Sequence, residues 1–298
     1  MAAAEPASRQ VRLTMLSSMA GPDFEKALDR HVQWRIRDLD LKDQIFGKSL
    51  LELTDEEAGR AAELIRARGL AVHCLSTGIF HAEIGLGEDA FRREQLGPVR
   101  RAVELAGILR PRFVRLLPAK VGVGQSPPDM IAEVRSRAPW LFGLYRQAAA
   151  QIRAAGFEPT IENEVAGSIL ASPRDVAGFF AELGPDAGMS YTWDVQNMWQ
   201  CGTFPSLEAY AAVRPYMNYL HLKGGIAEGP QRRLRWAAPL EQASWPVLAI
   251  VRRAIADGTS PVICLNPSHG ERRPGAAGPS DVERDIAFLR SNFEEIAR

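Results

Sequence analysis

Residues 188–225 read GMSYTWDVQNMWQCGTFPSLEAYAAVRPYMNYLHLKGG, and the pattern of this stretch recurs along the chain. It opens and closes on short β-rich runs, GMSYTWDV and YLHLKGG, with a longer segment between them. A strand buried in a parallel sheet is nearly all apolar. Charged or imidazole side chains near the ends of such runs are therefore exceptions that indicate function.

Eight β-rich runs alternate with stretches of helical periodicity. The runs cover residues 11–19, 36–42, 70–76, 112–119, 158–164, 188–195, 219–225 and 261–267. The clearest helical stretches are 54–69, 91–109, 129–156 and 244–258. Eight strands, each followed by a helix, predict a parallel sheet closed into a (β/α)8 TIM barrel. A doubly wound open sheet competes, but GPDFEK follows the first run where that fold has a glycine-rich loop.

Several predicted helices carry boundary signals. Thr54 with Glu57 forms a capping box, and Gly69 stands where a helix ends. Gly156 and Gly258 end their helices in the same way, and Ser172 precedes a proline at the first helical position. Ser280 with Glu283 is a second capping box, which opens the last helix.

Length and composition fit one domain. The chain has 298 residues, which is within the range of a single α/β barrel. We predict one domain over 1–298, with a flexible N-terminus at 1–10 and a mobile loop at 270–280. Lys and Arg equal Asp and Glu at 36 each, which argues against nucleic acid and anionic membranes as partners.

Cysteine usage and hydropathy indicate a cytoplasmic protein. The chain has three cysteines with no CxxC spacing, which suits a reducing compartment rather than a disulfide framework. MAAAEPASRQ at the N-terminus has no apolar core before a cleavage site, so we expect no signal peptide. No stretch approaches the roughly 18 apolar residues that a membrane helix needs.

Polar side chains gather at the ends of three late strands. The fifth run ends in Glu162-Asn163-Glu164, the sixth reaches Asp194, and the seventh holds His221 followed by Lys223. The carboxyl ends of barrel strands meet at one face, which builds the active site. A buried carboxylate is costly unless it is paired or binds a cation. Oxygen and imidazole donors without a thiolate predict a divalent metal, Mn, Mg, Co or Zn.

Three segments resemble the xylose-isomerase-like TIM barrel superfamily, the sugar phosphate isomerase/epimerase family. TIENEVAGSIL (160–170) is similar to its ENH-containing strand, and residues 193–225 are similar to its DxxN…HLKD run. Residues 38–80 resemble its second and third strands. The similarity spans about residues 11–297, and the block 162–225 is its most specific part, because order, spacing and residue types match together.

The resemblance implies that Glu162, Asp194 and His221 are metal ligands. The family's fourth ligand is a glutamate near the end of strand 8, where this chain has Asn266, with His269 three residues on. In the family's epimerases the glutamates of strands 5 and 8 exchange a proton with the substrate from two sides. An amide has no accessible proton equilibrium, so Asn266 argues against two-base epimerisation. Asn266 can still ligate through its oxygen, and Glu164 or His269 can fill the gap.

The sixth strand reads D-x-x-N, with Asn197 where the epimerases and DNA-repair endonucleases of the superfamily have histidine. The endonuclease branch needs many histidine ligands, and this chain has five histidines, with Gly224 at another required place. We therefore reject a nuclease.

Other residues have a functional and a structural interpretation. Arg115 binds substrate or only pairs with a neighbouring carboxylate, and Trp193 stacks on a sugar or only fills the core. His73 is expected to pack rather than to react. Asn197 and His269 are candidates for substrate binding. The basic run after the seventh strand is expected to be a solvated face, with phosphate recognition as the alternative; it comprises Arg232, Arg233 and Arg235.

The leading hypothesis is a metal-dependent isomerase, epimerase or lyase that acts on a keto-sugar, inosose or related polyol through an enediolate. Glu162, Glu164 and Lys223 are its candidate catalytic residues, with Glu164 or Lys223 as the proton carrier. Because the strand-8 base is missing, a one-base elimination such as dehydration is favoured. The alternative is a non-catalytic sugar-binding or regulatory barrel. A small molecule is the expected partner, and monomer and homo-oligomer both remain open.

Overall fold

The computed structural model describes residues 10–122, 127–165, 167–267, 271 and 281–297. The N-terminal segment expected to be flexible lies outside these ranges except for Gln10. The loop expected at 270–280 lies outside them except for Glu271, and the capping box expected at Ser280 lies outside as well.

Eight parallel strands form a nearly closed barrel, in the order β1-β10-β7-β6-β5-β4-β3-β2. Two further strands, β8 and β9, form an antiparallel hairpin. The strands are β1 (Arg12–Thr14), β2 (Asp38–Leu41), β3 (Ala71–Ser76), β4 (Phe113–Leu116), β5 (Glu158–Glu162), β6 (Ser190–Asp194), β7 (Met217–Leu222), β8 (Ile226–Glu228), β9 (Arg233–Trp236) and β10 (Val262–Leu265).

The barrel closes between β1 and β2 just beyond the end of β1. Leu16 and Asp40 form an isolated parallel bridge there, and the Asp40 amide donates to the Met15 carbonyl at 3.0 Å. The described helices surround the barrel. They are α1 (Phe24–Gln33), α2 (Asp55–Ala67), α3 (Glu88–Phe91), α4 (Val99–Leu109), α5 (Met130–Arg137), α6 (Trp140–Ala154), α7 (Pro173–Leu183), α8 (Val195–Gln200), α9 (Leu207–Val213), α10 (Val247–Asp257) and α11 (Asp281–Asn292).

The predicted helix boundaries of α2 follow from its capping box. Thr54 Oγ1 accepts a hydrogen bond from the backbone amide of Glu57 at 3.2 Å. The carboxylate of Glu57 accepts one from the backbone amide of Thr54 at 2.9 Å. Gly69, just past the helix, has φ +66°, a left-handed conformation that glycine adopts without strain. Before α7, Ser172 accepts from the Asp175 amide, as predicted.

Two sequence predictions need correction. The stretch 129–156 is two helices, because Pro139 has no amide hydrogen to continue the first one, and α5 therefore ends at Arg137. The stretch 91–109 likewise contains a π-helical turn at Arg92–Leu96 and resumes as α4 only after Pro98. The segment after β7 also contains the hairpin β8–β9, which the sequence analysis did not predict. Among the described residues, no helix combines the length and apolarity required to cross a bilayer.

Candidate functional site

The strand register brings the three predicted ligands together. Asp194 is the Cα partner of His221 across β6 and β7, and Glu162 ends β5 beside Thr192 of β6. One side-chain donor atom each from Glu162, Asp194 and His221 lie within 4.8 Å of one another. All three side chains are buried. The predicted convergence at the carboxyl ends of the strands is therefore present.

Glu162 is held between two cationic groups. Arg115 donates from Nη1 to Oε2 of Glu162 and from Nη2 to the Thr77 carbonyl at 3.0 Å. On the other side, His221 Nδ1 lies 3.1 Å from Oε1 of Glu162. Burial by itself would raise the pKa of Glu162, but the charges of His221 and Arg115 outweigh it and hold the pKa below its ordinary value.

His221 is affected in the opposite direction. Burial alone would lower its pKa, but the neighbouring Cys264 and Glu162 raise the pKa well above its ordinary value. The imidazole thus takes a proton in the absence of another cation, and its Nδ1 faces the carboxylate of Glu162.

Asp194 is fixed at both ends. The side-chain carboxamide of Asn163 holds its backbone. Nδ2 of Asn163 donates to the Asp194 carbonyl, and Oδ1 of Asn163 accepts from the Asp194 backbone N–H, both at 2.9 Å. Its Oδ1 accepts from the amides of Gln196 and Asn197 at 3.0 and 2.9 Å, since Asp194 is the N-cap of α8. Its Oδ2 lies 2.6 Å from Nζ of Lys223. The carboxylate therefore has little freedom to rotate.

Glu164 and Lys223 flank the three ligands. Burial opposes the charge of Lys223, but Asp194 and Glu162 raise the pKa above its ordinary value, so the side chain is a cation and a proton donor. The Lys223 ammonium also reaches Oδ1 of Asn197 at 3.4 Å. Burial, followed by the negative charge of Glu162, raises the pKa of Glu164.

A cavity of about 450 Å³ opens over this cluster. The loops after β1 and β2 line one side of it, with Ser18, Met19, Lys42, Asp43 and Gln44. The predicted site residues line the other side, namely Arg115, Glu162, Glu164, Asn197, Lys223 and Asn266. Its volume is within the range of small-molecule sites, roughly 300–1,000 Å³.

Asn266 occupies the place that the resemblance assigns to a fourth carboxylate. It follows β10, is buried, and its Oδ1 accepts from the Leu16 amide and from the Cys264 thiol, each at 3.4 Å. The side chain thus ties β10 to the loop after β1 and presents a neutral amide to the cavity. It supplies no exchangeable proton.

Trp193 does not line the cavity. Trp193 is 1% exposed and its ring packs against Tyr210 of α9. Successive residues of a strand point to opposite faces, so Trp193 faces the helices while Asp194 faces the barrel, which corrects the expectation that it contacts substrate. His73 packs between Phe113 and Tyr219, and His269 lies outside the described residues.

The basic run after β7 is engaged with its surroundings. Arg232 stacks on Phe204 at 4.9 Å, and its carbonyl accepts from Trp199 at 2.6 Å. Arg235 stacks on Trp236 at 4.0 Å and pairs with Glu228 at 3.7 Å. These contacts agree with a surface role for the run.

Sequence reasoning did not identify Asp40 and Asn163 as parts of the site. Asp40, fully buried at 0% exposure, lies with Oδ2 3.8 Å from His221 Nε2 and 3.1 Å from the Tyr219 hydroxyl. The available signal for it was the strand DLDL, in which two aspartates alternate with leucines. For Asn163, the signal was its position between two functional glutamates.

The donor set fits a divalent cation. Atoms bound to one ion at about 2.0–2.3 Å are at most about 4.6 Å apart, close to the 4.8 Å within which these donors lie. Two carboxylates and an imidazole suit Mn, Mg, Co or Zn. The opposite nitrogen of His221 faces the carboxylate of Asp40, an arrangement common behind metal-bound histidines. Glu162, Asp194 and His221 are thus the residues that would hold a metal.

Comparison with known proteins places the fold. No protein-family model matches the sequence, and none of the curated proteins searched matches it. Solved structures match over nearly the whole chain. A xylose isomerase-like TIM barrel protein from Mycobacterium smegmatis in complex with magnesium is 16% identical, with a TM-score of 0.68 over 97% of this chain and 98% of that one.

Two further solved structures are enzymes by description. An L-ribulose 3-epimerase is 15% identical with a TM-score of 0.69, covering 95% of each chain. The probable 3-DHS dehydratase AsbF of petrobactin synthesis from Bacillus anthracis is 11% identical with a TM-score of 0.68, covering 94% of this chain and 98% of that one. The chain therefore has the xylose-isomerase-like TIM barrel fold.

Proposed function

We propose that this chain is a divalent-cation-dependent enzyme that acts on a keto-sugar, inosose or related polyol. The observation that carries the proposal is the convergence of donor atoms from Glu162, Asp194 and His221 on one buried point beneath the cavity. Solved structures of the same fold include a magnesium complex, an epimerase and a probable dehydratase, and these support the same conclusion.

The cation would be held by Glu162, Asp194 and His221, with the Asn266 oxygen as the nearest candidate for a fourth position. When bound, it would polarise a substrate carbonyl and stabilise negative charge on the oxygens beside it. Arg115 and Asn163 fix the ligands Glu162 and Asp194 from behind. Preorganisation of this kind contributes to catalysis because no reorganisation is needed when charge develops.

Proton transfer falls to Glu164 and Lys223, which line the same cavity. Glu164 carries a carboxylate that can accept a proton from carbon next to the carbonyl. Lys223, held by Asp194 and Asn197, can donate a proton to a leaving hydroxyl or stabilise an oxyanion. This division gives one base and one acid.

The reaction that this arrangement favours is an elimination such as dehydration. Two-base epimerisation needs a second proton carrier facing the first, and Asn266 stands in the position where the resemblance places it. The carboxamide of Asn266 cannot exchange a proton. Dehydration removes a proton with one group and assists loss of hydroxide with another, which Glu164 and Lys223 can do together.

The test is exchange and elimination on a panel of keto-sugars and inososes in D₂O with Mn²⁺, Mg²⁺, Co²⁺ or Zn²⁺. Proton NMR reads loss of the carbon-bound proton, and ultraviolet absorbance reads an enone product. We expect elimination with the wild-type chain and none with Glu164→Gln. Epimer formation without enone would refute the preference for elimination, and no exchange on any compound would refute the enzyme.

A second candidate, a non-catalytic sugar-binding barrel, is favoured by one specific observation. Both carboxylates already have internal counterions, Arg115 for Glu162 and Lys223 for Asp194. If the chain binds polyols in calorimetry but retains no stoichiometric cation after incubation with each metal, the binding protein is the better assignment. Stoichiometric metal that is lost in the double variant Glu162→Gln, Asp194→Asn favours the enzyme.

A further inference from the structure

Asp40 is a buried carboxylate to which the proposed chemistry assigns no role. It is the third residue of the short strand β2, is 0% exposed, and lies across the barrel from β7. Its Oδ2 accepts from the hydroxyl of Tyr219 at 3.1 Å and lies 3.8 Å from Nε2 of His221. A buried carboxylate is costly to retain unless it is paired.

The two nitrogens of His221 face opposite carboxylates. Nδ1 is directed at Glu162, 3.1 Å away, on the side of the proposed cation site. Nε2 is directed into the barrel toward Asp40. A neutral imidazole that binds a cation through one nitrogen must carry its proton on the other, so the group that faces Nε2 sets the tautomer.

Cys264 also has a donor atom within 4.8 Å of Asp40 and His221, but it is a weaker partner than Asp40. Its thiol donates to Asn266 Oδ1 at 3.4 Å. A thiol is a weak acceptor, whereas a carboxylate is a strong one. Asp40 is therefore the stronger partner for a proton on Nε2.

We propose that Asp40 is a positioning residue, held by Tyr219, that keeps the His221 proton on Nε2 and leaves Nδ1 free to face the cation site. This inference rests on the proposed cation-binding function. It adds a residue on the opposite side of the barrel, from a strand that contributes no ligand to the Glu162–Asp194–His221 cluster.

The decisive variant is Asp40→Asn, which keeps the shape of the side chain and removes its charge. Its matched control is Asp38→Asn. Asp38 lies two residues earlier on β2, is also buried, and pairs with Arg12 at 3.4 Å at the start of the strands. Tyr219→Phe is a second variant, which leaves Asp40 charged but removes the hydroxyl that holds it.

The first measurement is calorimetric titration of each metal-free chain with Mn²⁺. We expect Asp40→Asn to weaken binding by about 10- to 100-fold, the usual effect of losing a partner behind a metal-bound histidine, and Tyr219→Phe to weaken it less. Asp38→Asn should stay within about threefold of the wild type. Equal losses in both aspartate variants, or no loss in Asp40→Asn, would overturn the proposal.

The second measurement does not require a metal. ¹⁵N-histidine labelling reports the His221 Nε2 proton, identified by its absence in His221→Asn. We expect a downfield, slowly exchanging Nε2 proton in the wild type that shifts upfield or disappears in Asp40→Asn. If the wild type binds no Mn²⁺, the cation site fails. The Nε2 proton resonance is then the sole test of the role of Asp40. An unchanged resonance in Asp40→Asn would refute that role.

Discussion

Replacing Arg115 by methionine should reveal the energetics of the buried charges beneath the cavity. Arg115 is 2% exposed and Glu162 3%, and the guanidinium donates to Glu162 and to the Thr77 carbonyl. Arg115→Met keeps much of the aliphatic volume and removes the charge. The carboxylate of Glu162 then remains buried, with His221 and Lys223 as the cations that still act on it.

The magnitude follows from burial. Removing one partner of a buried ion pair costs about 3–5 kcal/mol, because the remaining charge is left uncompensated. His221 keeps part of that compensation, which places the electrostatic loss at the lower end, about 3 kcal/mol. The Thr77 carbonyl loses a donor, which adds about 1 kcal/mol. The free energy of unfolding should therefore fall by about 4 kcal/mol.

The assay is equilibrium urea unfolding in EDTA, followed by circular dichroism. The matched control is Arg112→Met, since Arg112 pairs with Glu158 at 3.0 Å and joins the starts of the same two strands, β4 and β5. That pair is 45% and 52% exposed, so the control should lose no more than about 1 kcal/mol. The double variant Arg115→Met, Glu162→Gln should be more stable than Arg115→Met alone, since no unpaired charge remains.

Two results would refute this reasoning. If Arg115→Met and Arg112→Met destabilise the chain equally, burial does not govern the Arg115–Glu162 interaction. If the double variant is less stable than Arg115→Met, the cost of the single change is lost packing rather than an uncompensated carboxylate.

The remaining predictions concern ligands, proton transfer and pH. Glu162→Gln with Asp194→Asn should abolish stoichiometric cation binding in elemental analysis, and retained metal would place the site elsewhere. Glu164→Gln should keep cation affinity within about threefold but stop substrate proton exchange in D₂O, since Glu164 is not one of the three converging donors. Burial, with the charge of Arg112, lowers the pKa of His73 to about 3. The folded chain resists protonation there while the unfolded chain accepts a proton near pH 6.5, so stability falls as pH drops below 6.5. At pH 4.5 this lowers the free energy of unfolding by about 3 kcal/mol. In urea unfolding, the drop on acidification should be smaller by about 3 kcal/mol in His73→Phe than in the wild type.

The barrel was predictable because its signals are local. Each of the eight runs overlaps a barrel strand, and Thr54 with Glu57 marks the start of α2 through bonds between neighbours in sequence. The runs were longer than the strands. β1 covers only Arg12–Thr14 of the run 11–19, because Leu13 and Met15 pack in the core whether or not the ladder continues. Hydrophobicity in the sequence therefore predicts which residues are buried, but it does not predict where the hydrogen bonds between strands end.

The site was predictable in position and less so in its contacts. Glu162, Asp194 and His221 converge because parallel strands end at one face. Side chains alternate between the two faces of a strand. Because Asp194 points into the barrel, its neighbour Trp193 points outward. Asp40 and His221 are separated by 181 positions and meet across the barrel, and no local pattern encodes a distance of that kind. The hairpin β8–β9 was missed because β8 has only three residues and β9 alternates charged and apolar residues within a basic run.

The exchange of a carboxylate for Asn266 has a consistent electrostatic reason. Glu162 is paired with Arg115 and His221, Asp194 is paired with Lys223, and all of these side chains are buried. A fourth acidic ligand after β10 would add a buried negative charge beside the Cys264 thiol and the Leu16 amide, neither of which is a cation. Asn266 instead accepts from both and adds no negative charge. The same substitution removes the second proton carrier, so charge balance and one-base chemistry come from one residue.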